Sequence, residues 1–293
     1  MRPLVIYHAN CFDGITSAWV FRCHFGPEGC DFHPATYGSQ PPATSGRVVF
    51  VVDFSYPRDV MKALILGSRR CVVLDHHKTA EAALFGILEE LQQIGQRQPG
   101  DEIVFDMARS GAGLAWDYLF GNAGAIPASL SVARPWLVDY IEDRDLWRQA
   151  LPRTREVSAY IASLPMTFEE WDTLSATPWK TVADKGAAVQ RYIDTYGAKA
   201  REMARLEVIG CHVVPTVNLP YMNCSEHVGA LAEEHPEAPF AAGYFRRADG
   251  RWQFSLRSRG DFDVSEVAKV YGGGGHAGAA GFDVAVLPWE ARP

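Results

Sequence analysis

Cys71-Val72-Val73-Leu74-Asp75-His76-His77 is an apolar run closed by one carboxylate and two imidazoles. A continuous Val/Leu run predicts a buried strand. The end of such a strand is where an open α/β sheet places its ligands. One Asp and two His at that end form a donor set suited to Mn²⁺, Fe²⁺ or Zn²⁺. For the isolated triplet, a structural turn with both histidines capping backbone groups is an equally good reading. Other His and Asp residues at similar strand ends tip the reading toward metal.

Those strand ends appear on working outward from residues 71–77. Leu4–Tyr7 is a short apolar strand followed by His8, a loop, and a helix from about Ile15 to Phe25. Arg47–Val52 is a second strand that ends at Asp53, and Pro57 suits the first turn of a helix reaching about Leu66. Glu102–Phe105 reads as a fourth, weaker strand, and Ser110–Phe120 and Ala133–Ile141 have helical periodicity. Alternation of this kind predicts an α/β fold, a mostly parallel sheet flanked by helices. In such a sheet the strand ends share one edge, so His8, Asp13, Asp53, Asp75 and His76 can converge.

Beyond Trp179 the character changes. A polar, Pro-free stretch to about Leu206 reads as one long linking helix. Cys211–Val217, Phe240–Arg246 and Arg251–Arg257 look like strands, with Asp249-Gly250 as a hairpin signal. Helices are expected at Glu226–Glu234 and Val264–Tyr271. The division is therefore a first domain at 1–178, a linker helix at 179–208, and a smaller α+β domain with a mixed sheet at 209–293.

Composition limits the function classes. With 47% hydrophobic and 22% charged residues, the 293-residue chain is ordinary globular material. A net charge of −7 supplies no global basic field to recruit long nucleic acid. Six cysteines form no CxxC pair and no disulfide-scaffold spacing, which points to reduced thiols in a cytoplasmic protein. Met1–Asn10 lacks the form of a signal peptide. No apolar stretch approaches the roughly 20 residues of a membrane span.

Each candidate motif has a plainer reading beside the chemical one. Asp13, next to Gly14, sits where a loop becomes a helix, so it can hold a cation or simply cap that helix. Asp53 follows two valines, where a carboxylate must be paired, metal-bound or tied to a turn. Asp139 and Asp143 share a helix face in Leu137-Val-Asp-Tyr-Ile-Glu-Asp-Arg-Asp-Leu-Trp147, although an acidic run is more often a solvated helix end. Gly272–Gly275 and His276 precede Ala-rich sequence read as a helix start, and successive N–H groups there can cradle an anion. Arg257 and Arg259 flank Ser258 upstream, and either guanidinium can grip phosphate or stand exposed on a strand.

Taken in order, His8…Asp13-Gly14, Asp53, Asp75-His76-His77, Asp143 within Ile-Glu-Asp-Arg-Asp-Leu-Trp, and Ser-Leu-Arg-Ser…Gly-Gly-Gly-Gly-His-Ala-Gly resemble the DHH phosphoesterase superfamily with its DHH-associated C-terminal domain. Val264–Gly281 is most similar to the nano-RNase and cyclic-dinucleotide phosphodiesterase group. The resemblance implies one or two Mn²⁺ ions held by His8, Asp13, Asp53, His76 and Asp143, with Asp53 bridging. It implies that Asp75 orients the site and His77 faces the substrate phosphate. In the C-terminal domain it implies nucleotide binding by Arg257, Ser258, Gly274, Gly275 and His276. The first motif departs from the family pattern: His8-Ala-Asn-Cys-Phe-Asp13 has a single carboxylate and is one residue short. Asn10 or Cys11 is left to fill the gap. A Cys11 thiolate would favour softer metals and takes second place to the other options.

The expected function is metal-dependent hydrolysis of phosphoester bonds in small nucleotides or short oligonucleotides, by a cytoplasmic protein with no membrane partner. A homodimer is compatible with this. The competing readings are a pyrophosphatase-like phosphohydrolase and a non-catalytic nucleotide-binding or regulatory protein.

Overall fold

The computed structural model describes residues 1–121 and 133–290. The chain divides into two compact units, 1–190 and 191–293, and the division falls inside one long helix.

The first unit is an α/β structure around a five-stranded, wholly parallel sheet. Its strands are β1 (Leu4–His8), β2 (Asp31–Ala35), β3 (Val48–Val52), β4 (Arg70–Asp75) and β5 (Glu102–Phe105), in the order β2-β1-β3-β4-β5. β3 and β4 carry continuous apolar sequence because both faces of the sheet are covered. Alternate residues go to opposite cores. Val5, Phe50, Val52, Val72 and Leu74 join Trp19, Phe21, Leu137 and Trp171 on one face. Leu4, Ile6, Val49, Val51 and Val73 join Met61, Ile65 and Leu91 on the other. The helices are α1 (Phe12–Phe25), α2 (Arg58–Gly67), α3 (Lys78–Leu84), α4 (Ile87–Gln93), α5 (Gly111–Phe120), α6 (Trp136–Asp145), α7 (Thr154–Ala162) and α8 (Phe168–Ala176). The strand order reverses at β1, because β2 is added on one side of it and β3 on the other. Such a switch point opens a crevice at the carboxyl ends of the strands. His8 at the end of β1 and Asp53 just past β3 stand on either side of it.

The sequence predicts no strand at 31–35, because β2 contains Pro34. A proline is tolerated there since β2 is an edge strand, paired among the described residues with β1 alone.

The second unit begins within α9 (Trp179–Arg201), which ends before the expected limit. Residues Arg205–Ile209 form strand β6 instead of continuing the helix. The six-stranded mixed sheet has the order β10-β11-β9-β8-β7-β6, with β7 (His212–Asn218), β8 (Phe240–Arg246), β9 (Trp252–Ser258), β10 (Gly274–His276) and β11 (Ala279–Val284). Helices α10 (Cys224–Glu234) and α11 (Val264–Val270) pack on it. The Ala-rich segment after the glycines is a strand, not a helix start. Ala279–Gly281 pairs with both β9 and β10. Gly275 permits this hairpin: its φ is +146°, and a Cβ would lie 2.5 Å from Ala280 Cα. Among the described residues, no helix is long and apolar enough to cross a membrane.

Leu74, fully buried one residue before Asp75, tests how far β4 depends on its core contacts. Leu74→Ala is expected to lower unfolding free energy by about 2–5 kcal/mol, read as a reduced urea midpoint at unchanged slope.

Candidate metal centre

The site begins with turns that the sequence dictates. After β1, Asn10 adopts a left-handed conformation (φ +57°), which Asn tolerates better than most residues. Cys11 then starts α1 in extended geometry. Gly14 is obligatory at the next turn, because a Cβ there would lie 2.1 Å from the His8 carbonyl oxygen. Asp53 leaves β3 with φ +53°, which swings its carboxylate into the crevice. Gly111 makes room for it, since a Cβ on that glycine would meet Asp53 Cβ at 2.4 Å.

Asp13 does not cap its own helix. Its carboxylate accepts N–H bonds from Gly111 at 2.6 Å and Ala112 at 3.0 Å, at the N-terminus of α5. Four unpaired N–H groups and the positive end of the helix dipole make that terminus a natural seat for a carboxylate. The Ser110-Gly-Ala-Gly113 stretch gives no functional signal in the sequence beyond its fit to a helix start. Ser110 caps α5 by accepting from the Gly113 N–H at 3.2 Å, and Gly113 leaves space for the Glu142 carboxylate.

Around Asp53 the donors converge. His76 Nε2 lies 3.1 Å from Asp53 Oδ1, 3.5 Å from Asp145 Oδ2 and 3.7 Å from Asp13 Oδ2. His8 Nδ1 is 3.7 Å from Asp53 Oδ2. Donor atoms within 4.8 Å of one another group into three sets: His8, Cys11 and Asp53; Asp53, His76 and His77; and Asp13, His76 and Asp145. Asp53 belongs to two of these sets and His76 to two, which is the geometry of a centre built round a shared carboxylate.

Asp75 is different in kind. It is fully buried, and its oxygens are taken by Ser55 Oγ at 2.7 Å, the His76 N–H at 2.8 Å and the His77 ring Nδ1 at 2.7 Å. It holds the two histidines in place. The hydrogen bond to Asp75 raises the His77 pKa to about 9, against the opposing effect of burial.

Asp143, expected as a metal ligand, is already engaged elsewhere. Its carboxylate accepts from the Ala150 N–H at 2.9 Å, the Leu151 N–H at 3.3 Å and the Thr154 hydroxyl, so it closes the turn after α6. Asp145, two residues on, takes the position beside His76. Asp139 is likewise removed from the centre, paired with Arg134 at 2.8 Å.

The electrostatics describe a site short of positive charge. Burial would raise the Asp53 carboxyl, but the hydrogen bond with His76 and the neighbouring His8 and His77 rings outweigh it and hold the group well below the usual range. Burial, with Asp53 and Asp145 nearby, pushes Asp13 up. Burial and the Asp53 charge push Asp145 up to about 6, against His76, His77 and Arg144. Asp53 Oδ2 and His8 Nδ1 are both buried without a hydrogen-bond partner. Buried polar atoms of native proteins are rarely left so. A divalent cation among these donors satisfies the orphaned atoms and offsets the carboxylate repulsion, so the residues present fit a metal.

In the second unit, Arg247, Gln253, Ser255, Arg257, the glycines at 273–275 and His276 line a cleft of about 550 Å³. Arg257 is steadied by donating to Ser225 Oγ and to the Leu256 carbonyl at 2.7 Å. Ser258 is not part of this lining. Its hydroxyl is spent on the Ala277 carbonyl at 3.1 Å, and Ser255, three residues earlier, takes its place.

Residues 219–290 match the DHHA1 domain family. Over 310 aligned residues, covering 95% of this chain, the chain is 29% identical to the uncharacterized protein R106 of Acanthamoeba polyphaga mimivirus. It spans 66% of that protein's length. Among solved structures it resembles the pGpG-specific phosphodiesterase PggH from Vibrio cholerae, with a TM-score of 0.51 and 12% identity over 98% of this chain and 94% of that one. It also resembles RecJ in complex with Mn²⁺ from Thermus thermophilus, with a TM-score of 0.52 and 16% identity over 96% of this chain and 49% of that one.

Asp143 and Asp145 separate structure from ligation. The folded-state pKa of Asp145, about 6, lies above the unfolded value of about 3.9. Its stabilising contribution is therefore complete below that unfolded value and is lost as pH rises through about 6. Asp145→Asn is expected to raise the melting temperature of the metal-free protein at pH 7 while weakening metal binding. Asp143→Asn is expected to lower the melting temperature and leave metal stoichiometry unchanged. Thermal scans with and without chelator, paired with elemental analysis, check both halves.

Proposed function

We propose that this chain, which has the fold of the DHH phosphoesterase superfamily and carries its DHHA1 domain at residues 219–290, is a divalent-metal-dependent phosphodiesterase acting on small nucleotides or short oligonucleotides. The observation that carries the reading is Asp53. It is a buried carboxylate shared between donor groups, with one oxygen facing His76 and the other left without a hydrogen-bond partner.

Asp13, Asp53, His76 and Asp145 would hold the metal, with His8 and Cys11 on the far side of Asp53. Bound there, it would polarise a phosphoryl oxygen and acidify a water nucleophile. The protein's own groups do the rest. Asp75 fixes the His77 ring through Nδ1 and keeps it protonated at neutral pH, so the Nε2–H is the donor for a phosphate oxygen. A positively charged donor aimed at an oxygen that gains charge in the transition state is the most effective use of a hydrogen bond in catalysis. The α5 N-terminus holds Asp13 rigidly and spares it the rotameric freedom of an exposed carboxylate.

Several features support a small substrate. The cleft of the DHHA1 domain has the volume of a small-molecule site. Arg257, His276 and the N–H groups of the glycine run are suited to one or two phosphates, and the net charge of −7 opposes a long polyanion. The Vibrio cholerae neighbour is described as specific for pGpG, which makes that compound a first candidate here.

The test is hydrolysis of pGpG, a longer oligoribonucleotide and a chromogenic phosphodiester after metal stripping, with Mn²⁺ restored or with EDTA. Turnover only in the metal arm is expected, and fastest on the short substrates. Nucleotide binding without turnover under any metal would instead favour a regulatory protein. Asp53→Ala and His76→Ala are each expected to abolish turnover. Arg257→Ala and His276→Ala are expected chiefly to raise KM, on the order of tenfold, because a contact made equally in ground and transition states is lost. Asp75→Asn is expected to bring the His77 titration midpoint, followed by NMR in metal-free protein, down from about 9 toward about 6.5.

A further inference from the structure

We propose that Cys11 is a metal ligand, and that His8, Cys11 and Asp53 form a mixed nitrogen, sulfur and oxygen site that selects Zn²⁺ over Mn²⁺. This rests on the metal-dependent reading above and goes beyond it in assigning the replacement ligand and its metal.

The geometry comes first. One ring nitrogen of His8, Cys11 Sγ and one Asp53 oxygen all lie within 4.8 Å of one another. Asp53 is 1% exposed, and its Oδ2 has no hydrogen-bond partner, while Oδ1 is occupied by His76. The orphaned oxygen is thus the one on the His8 side, where the sulfur sits. His8 Nδ1 is buried and orphaned as well. Asn10, the other residue in the gap, is unsuited to ligation because it is exposed and serves the left-handed turn. Cys11 stands in extended conformation at the head of α1. Cys11 is a free cysteine and carries its thiol proton until a cation displaces it. A coordinating metal removes that proton outright.

The chemistry then separates two halves of the centre. Asp13, His76 and Asp145 supply two carboxylates and one imidazole, a set that suits Mn²⁺. On the other side, the third donor is sulfur instead of a second carboxylate. Thiolate with imidazole and carboxylate is a zinc set, and three protein donors leave a fourth position open, as catalytic zinc sites require. On binding, the S–H bond breaks, the proton goes to solvent, and the sulfur lone pair forms the new bond. No oxidant or reductant is needed.

The test is titration of the metal-stripped 293-residue chain with Co²⁺, monitored by the thiolate-to-cobalt charge-transfer absorption in the near ultraviolet, and then competition with Zn²⁺ and Mn²⁺. The wild type is expected to show the band at one equivalent. Cys11→Ser and Cys11→Asp, with folding checked by circular dichroism, are expected to lose it. Cys11→Asp should still take up metal there, with Zn²⁺ preference over Mn²⁺ reduced on the order of tenfold or more. Cys211→Ser is the control, because Cys211 Sγ also lies 3.4 Å from a ring nitrogen, that of His212. It should keep the band. Metal uptake without a band in the wild type, or a band that survives Cys11→Ser, overturns the assignment of Cys11 and leaves the metal-dependent reading intact. No divalent metal bound by the wild type at all overturns both.

Discussion

A carboxylate with no access to water must be matched by positive charge or by donors, and Asp53 imposes that constraint on everything around it. It is buried at the switch point of a parallel sheet, on a backbone turned into the left-handed region. The neighbours are arranged to fit. Gly111 has no side chain because the Asp53 Cβ occupies its space. His76 meets one oxygen and His8 approaches the other. Remove the carboxylate, and that glycine, two histidines and a strained turn lose their common reason.

The same constraint explains how several acids share one small volume. Repulsion between Asp13, Asp53 and Asp145 is partly offset by different means at each. Asp13 is seated on the N–H groups of α5. Asp53 is held ionised by the histidines and Asp145 is pushed toward protonation. The α5 terminus is prepared by a second set of charges: Glu142 accepts from the Ser110 N–H and is surrounded by Arg109, Arg134 and Arg148. That network carries structure at the α5 terminus on which Asp13 rests.

Much of this is legible in the sequence, for a physical reason. In a parallel sheet buried on both faces, the strands read as apolar runs, and a charged residue at the end of such a run is conspicuous. His8, Asp53 and Asp75-His76-His77 stand out in that way, and β5 and β8 match their expected limits to the residue. The features that escape depend on partners distant in the chain. Pro34 hides an edge strand, and the small residues of β10 and β11 hide a hairpin whose strands are defined by pairing with β9. Ser110-Gly-Ala-Gly113 carries no chemistry of its own, and its role appears only once Asp13, far away in sequence, is seen to rest on it. Asp143 and Asp145 lie in the same acidic run, and periodicity alone cannot say which of two neighbouring carboxylates turns inward to the loop and which to the crevice.

Hydrogen-bond saturation makes that distinction. Asp75 and Asp143 are buried carboxylates whose oxygens already accept from backbone N–H groups and from hydroxyl or ring partners. A further ligand would have to displace bonds that are expensive to leave unmade. Asp53 keeps an oxygen with no donor, and the ion pairs of Asp145 with the centre are through His76 alone among the described contacts. By this criterion Asp75 and Asp143 hold rings and loops in position, Asp53 has an oxygen still to give, and Asp13, which accepts one backbone N–H at each oxygen, keeps its remaining lone pairs. The criterion also bears on Cys11. Its sulfur lies on the open side of Asp53, beside the orphaned His8 nitrogen, so the sulfur proposed as a ligand stands where unsatisfied lone pairs are concentrated.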